Sequence, residues 1–358
     1  MKTIVVLITI VLLPFLSSCK GTISEPEIIS DLDTTSHDFD WHFETIGIRQ
    51  SYLIDVSVIS SNDIWAVGEI KTKDTGIPDT NGVIIRAYNA VHWNGFEWEL
   101  YRLKTARYDG PPDEDVINAV YCFSSNDIWM FSDLGAYLHW DGTNWKTEFL
   151  WERKGGIYTI WGFSSNDLYF AGTNGSLTHY DGSSFTLLPT GTDLDIDDIY
   201  GTVDPVSGRK EILFVASNSP FDPPGRQIYR LEGTQSIPVN SDSLPNLLAT
   251  LWFANNKKYY VAGDGLWHTG KLGQSWTKEQ SLLPYFTNDI YGLNQNDIFI
   301  VGDFGFIAHF NGINWHNYTE ISQQLFNGGF GDVDFQRNFV VAVGRIGLSA
   351  LILRGYRK

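Results

Sequence analysis

The chain reads Ser-Asn-Asp-Ile-Trp-Ala-Val-Gly at residues 61–68, and close versions of this phrase return at 125–129, 165–172 and 296–302. A second phrase, His-aromatic-Asp-Gly-x-x-aromatic with Asn replacing Asp in two copies, follows at 92–98, 139–145, 179–185 and 309–315. Short aromatic and β-branched strands that repeat about every 40 residues are typical of propeller blades. The repetition therefore predicts an all-β architecture.

One copy divides into four strands separated by turn residues. Residues 158–163 form the inner strand, and a Ser-Ser-Asn-Asp turn leads into the second strand at 167–171. A Gly-containing hairpin precedes the third strand at 176–180, and an Asp-Gly turn precedes the fourth at 185–188. These residue types suit tight turns between antiparallel strands. Each copy is predicted to be a four-stranded antiparallel meander.

Weaker copies of the same pattern complete the count of blades. The last copy has only three strands, whereas residues 41–45 resemble a fourth strand with no blade before it. Pairing residues 41–46 with 348–353 closes the ring and removes exposed sheet edges. The prediction is a seven-bladed β-propeller closed by the N-terminal strand. A count of six or eight blades would require one inner strand to be misidentified. The inner strands open at Asp55, Ala119, Thr159, Asp198, Thr250, Asp289 and Gly331.

The N-terminus predicts where in the cell the protein is located. Lys2 precedes an apolar run at residues 3–16, which is too short for a comfortable membrane span and typical of a signal peptide. The following Leu-Ser-Ser-Cys resembles the bacterial lipobox, in which the cysteine, here Cys19, is acylated. We expect a signal peptide at 1–18, a lipidated tether at 19–40 and the propeller at 41–358. An ordinary signal peptide that happens to contain a cysteine is the alternative.

These boundaries predict a lipid-anchored protein of the bacterial cell envelope, periplasmic or surface-exposed. With 25 basic and 42 acidic residues, the formal net charge is -17. Such a surface repels phosphates, so no nucleic-acid partner is expected and membrane attachment depends on the lipid. If Cys19 is acylated, Cys122 is the only other cysteine and no internal disulfide forms.

From residue 41 onward, the two phrases resemble the repeats of bacterial secreted propellers related to the neuraminidase-repeat superfamily and to the photosystem II assembly-factor propellers. The resemblance implies the propeller fold and, through the second group, assembly-factor work. The neuraminidase Asp box reads Ser-x-Asp-x-Gly-x-x-Trp, whereas here Asp or Asn directly precedes Gly, as at Asp141. The arginines, Arg345 among them, carry no recognisable motif, so sialidase activity is not supported.

Loop lengths indicate where a ligand would bind. Connections from strand two to three and from strand four to the next blade emerge on one face, and the long segments at 70–90, 104–116, 189–197, 217–227 and 238–245 all belong to this class. We call it the long-loop face. Variable loops on a rigid scaffold usually carry function. The predicted ligand-binding residues are Tyr108, Asp113, Trp151, Arg153, Asp195 and Arg226.

Acidic residues give a second set of candidates. Asp55, Asp198 and Asp289 occupy equivalent inner-strand positions and are predicted to line one mouth of the central channel. They either attract a cation such as calcium or bond to neighbouring inner-strand amides. Acidic groups at 113–115 and 193–198 are further possible calcium ligands, with a solvated loop as the alternative. No other cofactor is predicted.

Histidines recur in the third strand, where ring geometry keeps them too far apart to share one metal ion. They are predicted to be structural partners of turn residues. The five are His92, His139, His179, His268 and His309.

The sequence shows no catalytic constellation, which favours a binding or scaffold protein over an enzyme. Its partner at the long-loop face is expected to be a protein or a glycan. Two alternatives stay open: a carbohydrate-active enzyme, either glycoside hydrolase or lyase, and an assembly factor for a membrane complex. An enzyme of the first kind needs two carboxylates facing one pocket.

Overall fold

Seven four-stranded antiparallel sheets make up the described part of the chain. The computed structural model describes residues 34–218, 225–254 and 258–358. Six sheets use four consecutive strands, and the seventh combines the last three strands with the first. The predicted seven-bladed propeller is therefore confirmed.

The strands follow one another from the inner to the outer edge of each blade. Blade one has β2 (Ile48–Ser60), β3 (Asp63–Lys71), β4 (Tyr88–Trp93) and β5 (Trp98–Tyr101). Blade two has β6 (Ile117–Ser124), β7 (Asp127–Ser132), β8 (Ala136–Trp140) and β9 (Trp145–Phe149). Blade three has β10 (Ile157–Ser164), β11 (Asp167–Gly172), β12 (Ser176–Tyr180) and β13 (Phe185–Leu187). Blade four has β14 (Asp195–Val203), β15 (Lys210–Ser217), β16 (Arg226–Glu232) and β17 (Gln235–Val239).

The remaining blades include the only α-helix of the described chain. Blade five has β18 (Leu248–Ala254), β19 (Lys258–Gly263), β20 (Gly265–Thr269) and β21 (Thr277–Lys278). Blade six has β22 (Thr287–Asn294), β23 (Asp297–Gly302), β24 (Ile307–Phe310) and β25 (Trp315–Asn317), and α1 (Thr319–Gln324) follows it. Blade seven has β26 (Gly328–Gln336), β27 (Phe339–Ile346), β28 (Ser349–Arg357) and β1 (Phe39–Ile46).

The first strand closes the ring as predicted. Residues of β1 pair antiparallel with β28 in a continuous register that runs from Phe39 opposite Arg357 to Ile46 opposite Ala350. The pairing begins two residues before the predicted domain start at Trp41. Thr35 already contacts blade six, where its hydroxyl donates to Asn296 O at 2.7 Å.

Packing between blades supplies the core. The buried apolar side chains form seven clusters in the described residues, and each cluster lies between two adjacent blades. Alternate residues of one strand serve the two neighbours, because successive side chains point to opposite faces of a sheet. On β18, Phe253 packs toward blade four, whereas Trp252 packs toward blade six.

Every inner strand carries an irregularity in its pairing at the same place, next to the channel. The skipped residues are Ile54, Asn118, Tyr158, Asp197, Ala249, Asn288 and Gly331. The repeats predict Gly331 at the first matched inner-strand position of blade seven, and this alignment is wrong by one residue. Asp332 pairs with Val343 as Asp55 pairs with Val67, and Gly331 is the bulged residue before it.

The aspartate that opens the second strand joins blades together. In four blades this aspartate is hydrogen-bonded to the histidine of the third strand, so the histidines are partners of turn residues as predicted. The distances are 2.8 to 2.9 Å, and the pairs are Asp63 with His92, Asp127 with His139, Asp167 with His179 and Asp297 with His309. The same aspartates each accept a hydrogen bond from the next blade, donated by Ser125, Ser165, Lys210 and Arg357 respectively. These histidines thus have a structural role.

Removing β1 should strongly destabilise the propeller. A chain beginning at Gly47 lacks the outer strand of blade seven and loses Phe39, which is only 6% exposed. Loss of one buried phenylalanine costs about 3 kcal/mol, and about 1 kcal/mol lowers the melting temperature of a domain this large by about 2 °C. Compared with a chain beginning at Thr34, we expect a melting temperature lower by more than about 6 °C in calorimetry. Equal melting temperatures would contradict closure by β1.

Candidate functional site

The long-loop face collects the extended connections of the described chain. These include residues 72–87 between β3 and β4, 102–116 between β5 and β6, 240–247 between β17 and β18, and 318–327 between β25 and β26. The opposite face carries mostly short turns. Residues 219–224, which fall in another predicted long segment, lie outside the described residues.

Three predicted ligand-binding residues come together on this face. The ring of Tyr108 lies 5.5 Å from that of Trp151, and Phe149 packs against Trp151 at 4.7 Å. The guanidinium of Arg153 lies 5.1 Å from the ring of Phe149. Tyr108 is 71% exposed and Trp151 is 62% exposed, so both rings present open surface to solvent. The sequence did not single out Phe149, the third ring of this cluster.

The other three predicted residues make separate contacts. Asp113 forms ion pairs with Arg86 at 2.8 Å and with Arg107 at 3.1 Å. Asp195 accepts a hydrogen bond from the backbone N–H of Asn174 at 2.9 Å. Arg226 donates to the Asn246 side chain and to Asp242 O, both at 2.9 Å. Neither Asp195 nor Arg226 touches the aromatic cluster through these bonds.

The predicted lipidation site, Cys19, lies outside the described residues. Within the described ranges, no helix has both the length and the apolar character needed to cross a membrane.

A second feature of the long-loop face escaped sequence reasoning. A cavity of about 900 Å³ lies where blades six, seven and one meet, and we call it the 6-7-1 cavity. Its lining comprises Tyr52, Leu53, Ile54, Asn288, Asp303, Phe304, Phe326, Asn327, Gly328, Gly329, Phe330, Gly331, Gly344 and Arg345. Blade one contributes residues 52–54 of β2, and blade seven contributes the beginning of β26 and the end of β27.

Aromatic rings are exposed at the blade-six side of this cavity. Phe304 and Phe326 are stacked with ring centroids 5.2 Å apart, and Tyr285 contacts Phe304 at the same distance. Phe304 is 43% exposed and Phe326 is 55% exposed.

The backbone of Phe304 is unusual for its residue type. Its φ is 58°, in the left-handed region, and the matching turn of blade three has Asn174 at φ 58°. Asparagine tolerates this conformation, whereas for other L-residues it costs roughly 1–2 kcal/mol. Strained residues of this kind cluster at functional sites. An aromatic residue at the position of Asn174 is the sequence signal that could have pointed here.

Arg345 is the cationic side chain of the 6-7-1 cavity. It is exposed and forms no hydrogen bond or ion pair with any residue in the described part of the chain. Asp303, on the blade-six side, interacts instead with Asn288, whose side-chain N–H donates to it at 3.2 Å. The cavity therefore offers one free cation beside exposed aromatic surface.

The central channel contains the three predicted channel residues, and each bonds to the next blade. Asp55 accepts the N–H of Val120 at 2.8 Å, Asp198 accepts that of Leu251 at 3.0 Å, and Asp289 accepts that of Val333 at 3.1 Å. The sequence missed two further members: Asp332 accepts the N–H of Val56 at 2.8 Å, and Asp334 accepts that of Val58 at 2.6 Å. This geometry supports the register-holding role for these carboxyl groups.

Four of these carboxyl groups form a connected chain. The Thr250 hydroxyl lies 2.9 Å from both Asp198 and Asp289, Asp289 bonds to Asp332, and Asp332 bonds to Asp55. The chain has four links, and a hydroxyl supplies one proton for donation. The three remaining links require protons from the carboxyl groups. Below about pH 7 the protonated form is therefore favoured for most of this cluster, within a channel cavity of only about 160 Å³.

Burial in the channel favours the protonated form of these carboxyl groups. Burial raises the pKa of Asp55 and of Asp198 to about 7, and that of Asp334 to about 6. Burial, and then the charge of the neighbouring carboxyl group, holds the pKa of Asp289 and Asp332 well above the ordinary 3.8. No group of three or more His, Cys, Asp or Glu side chains in the described chain is arranged to hold a metal ion.

The protonated channel predicts a pH dependence of stability. A carboxyl group with a raised pKa in the folded state stabilises the fold fully below its unfolded pKa, and this contribution is lost as pH rises from about 4 through the folded value. Burial lowers the pKa of His309 to about 4, which destabilises the fold as pH falls below about 6.5 and opposes this trend. Comparing the stability of a channel variant with that of the natural chain at several pH values separates the effect of the channel carboxyl groups from that of His309.

Asp332→Asn should raise stability at high pH. The amide oxygen still accepts the N–H of Val56, and the amide carries no charge at any pH. At pH 8 we expect a melting temperature at least about 2 °C above that of the natural chain, corresponding to about 1 kcal/mol, with the gain shrinking toward pH 5. Asp109→Asn, at an exposed loop position, controls for the change of net charge. A gain independent of pH, or a loss at pH 8, would contradict the shared-proton chain.

Comparisons with known proteins agree on the architecture. The chain is similar to the structure described as YCF48 bound to D1 peptide, at 16% identity and a TM-score of 0.64, with 91% of this chain and 99% of that chain covered. It is also similar to YCF48 from Cyanidioschyzon merolae, at 14% identity and a TM-score of 0.58, covering 88% and 98%. The WD40 propeller domain of Doa1 matches at 12% identity and a TM-score of 0.57, covering 89% and 97%.

At these identities the likeness shows the propeller fold alone. No protein-family model and no curated protein matches the chain.

Proposed function

We propose that this protein is a membrane-tethered scaffold that binds a protein partner through its long-loop face. The observation that carries the proposal is the 6-7-1 cavity, which combines exposed aromatic rings with the free guanidinium of Arg345. Aromatic residues and arginine are enriched at protein interfaces and supply most of their binding energy. The YCF48 structure, a propeller of similar architecture, contains a bound peptide.

The enzymatic alternative gains less support. A glycosidase needs two carboxyl groups that face one substrate pocket. The structure brings carboxyl groups together in the central channel, where they bond to inner-strand amides. It also brings them together around a cavity of about 190 Å³ lined by Glu69, Glu114, Asp115 and Asp133. There the first three are ion-paired with Lys71, Lys104 and Arg107 respectively. An assembly role is one form of the proposed function, in which the partner is a subunit of a membrane complex.

Photocrosslinking from the intact chain tests the binding face. We expect p-benzoylphenylalanine at Phe326, on the long-loop face, to capture a defined protein in the native cell. The matched control is the same substitution at Phe96, which is 91% exposed at a short turn of the opposite face. Mass spectrometry identifies the captured protein. Equal capture from both positions, or none from Phe326, would contradict the proposal, and capture of a glycan-bearing partner through its sugar would favour the glycan alternative.

Membrane attachment through Cys19 needs its own test. The lipobox-like Leu-Ser-Ser-Cys motivates it. We expect the mature chain to begin at an acylated Cys19 and to fractionate with membranes, and Cys19→Ala to yield a soluble or unprocessed form. Cys122→Ala controls for loss of a cysteine elsewhere. Mass spectrometry that finds an unmodified N-terminus at another residue would contradict the tether and leave the binding face untouched.

A further inference from the structure

We propose that the 6-7-1 cavity binds an extended segment of the partner that presents one acidic side chain close to one aromatic side chain. This inference rests on the proposed function and specifies the chemistry of its ligand. The 6-7-1 cavity has a volume of about 900 Å³, near the upper end of the range for ligand sites, about 300–1,000 Å³. A cavity of this size suits several residues of a peptide.

The free guanidinium selects a carboxylate. Arg345 has no partner among the described residues, whereas other arginines of the long-loop face, such as Arg107 and Arg226, are bonded to neighbouring groups. A guanidinium presents a planar fork of donors that matches a carboxylate with two parallel hydrogen bonds. An unpaired arginine beside exposed aromatic rings thus marks the position of a ligand carboxylate.

The backbone around the cavity favours a side-chain carboxylate over a chain terminus. Capture of a terminal carboxylate commonly uses a nest of free backbone N–H groups. Here the N–H of Gly305 donates to Gly328 O at 3.1 Å, that of Gly328 to Leu325 O at 2.8 Å, and that of Phe306 to Asp303 O at 3.1 Å. These three amides have partners and cannot contribute to such a nest, whereas the guanidinium of Arg345 is available to pair with the anion.

The negative charge of Asp303, which lines the same cavity, limits the ligand to one acidic residue near Arg345. The whole chain also has a formal net charge of -17. A run of acidic residues would be repelled by both. A single Glu or Asp placed at Arg345 gains the ion pair with the least repulsion.

The stacked phenylalanines provide the second anchor. Phe304 and Phe326 are about half exposed, so a ligand ring can pack against them in the offset or edge-to-face geometry that aromatic pairs prefer. The left-handed backbone at Phe304 is explained if binding requires a ring at that point of the turn. Folding alone would be served better there by glycine or asparagine.

Two tetrapeptides test the inference on the full chain purified in detergent. The ligand is acetyl-Ala-Phe-Glu-Ala-amide, and the control is the same peptide with Gln in place of Glu. By calorimetry we expect the Glu peptide to bind at least about 5-fold more tightly, because only it can pair with Arg345. Arg345→Gln should abolish this preference. Arg337→Gln, at an exposed turn on the opposite face of the same blade, should leave it unchanged.

Phe304→Gly separates binding from folding. Glycine accepts the φ of 58° without strain, which offsets part of the packing lost with the half-buried ring. The variant should therefore remain folded with a melting temperature close to that of the natural chain, yet bind the Glu peptide at least about 5-fold more weakly. Binding of both peptides with equal affinity, absence of binding, or an unchanged affinity in Phe304→Gly would overturn the inference. Tighter binding of acetyl-Ala-Ala-Ala-Phe with a free C-terminus would also overturn it, in favour of a terminal carboxylate.

These outcomes are independent of the test of the proposed function. If the tetrapeptides fail while the crosslinker at Phe326 still captures a protein, the binding face stands and only the ligand chemistry is wrong. If the crosslinker captures nothing while Glu-selective binding depends on Arg345, the cavity is a peptide site and the proposed scaffold role fails.

Discussion

Closure of the ring is the constraint on which the rest of the structure depends. Each hydrophobic cluster lies between two blades, so no blade buries its two faces unless both neighbours are present. The strand β1 completes blade seven by pairing with β28, and the 6-7-1 cavity lies beside this last blade. The closed ring also fixes the inner strands around the channel, which brings carboxyl groups from distant parts of the sequence into hydrogen-bonding contact.

The repeated phrase predicted the fold because its residues perform the same physical task in each copy. The Asp of Ser-Asn-Asp ends a turn, accepts a hydrogen bond from the histidine of the third strand and binds the following blade. The histidine ring in turn stacks on the aromatic residue of the second strand, at 4.1 Å in the pair of Trp129 and His139. One short sequence therefore specifies a turn, a strand pair and a blade contact, and the number of blades follows from counting it.

The sites were predicted only in part, for reasons that lie in three-dimensional packing. Tyr108 and Trp151 were singled out as loop residues, but their contact depends on two neighbouring connections that meet at the edge of blade two. The 6-7-1 cavity needs three blades at once, and Arg345 belongs to no motif. Asp332 was missed because Gly331, the bulged residue of β26, was matched to the residue that follows the bulge in the other inner strands.

The two faces of the propeller differ in how freely they can change. On the short-turn face, adjacent turns interlock: a Cβ on Gly142 would lie 2.9 Å from Cβ of Asn126, so even alanine at this glycine forces a shift. The aspartates that join the blades lie beside these turns. On the long-loop face the repeated constraint lies at the ends of the second strands, where a Cβ on Gly172 or Gly302 would lie 2.0 Å from a backbone oxygen. The connections beyond these glycines carry exposed rings such as Phe304. Because these constraints lie in the strands and short turns, the long connections are where a binding surface can be varied without opening the ring.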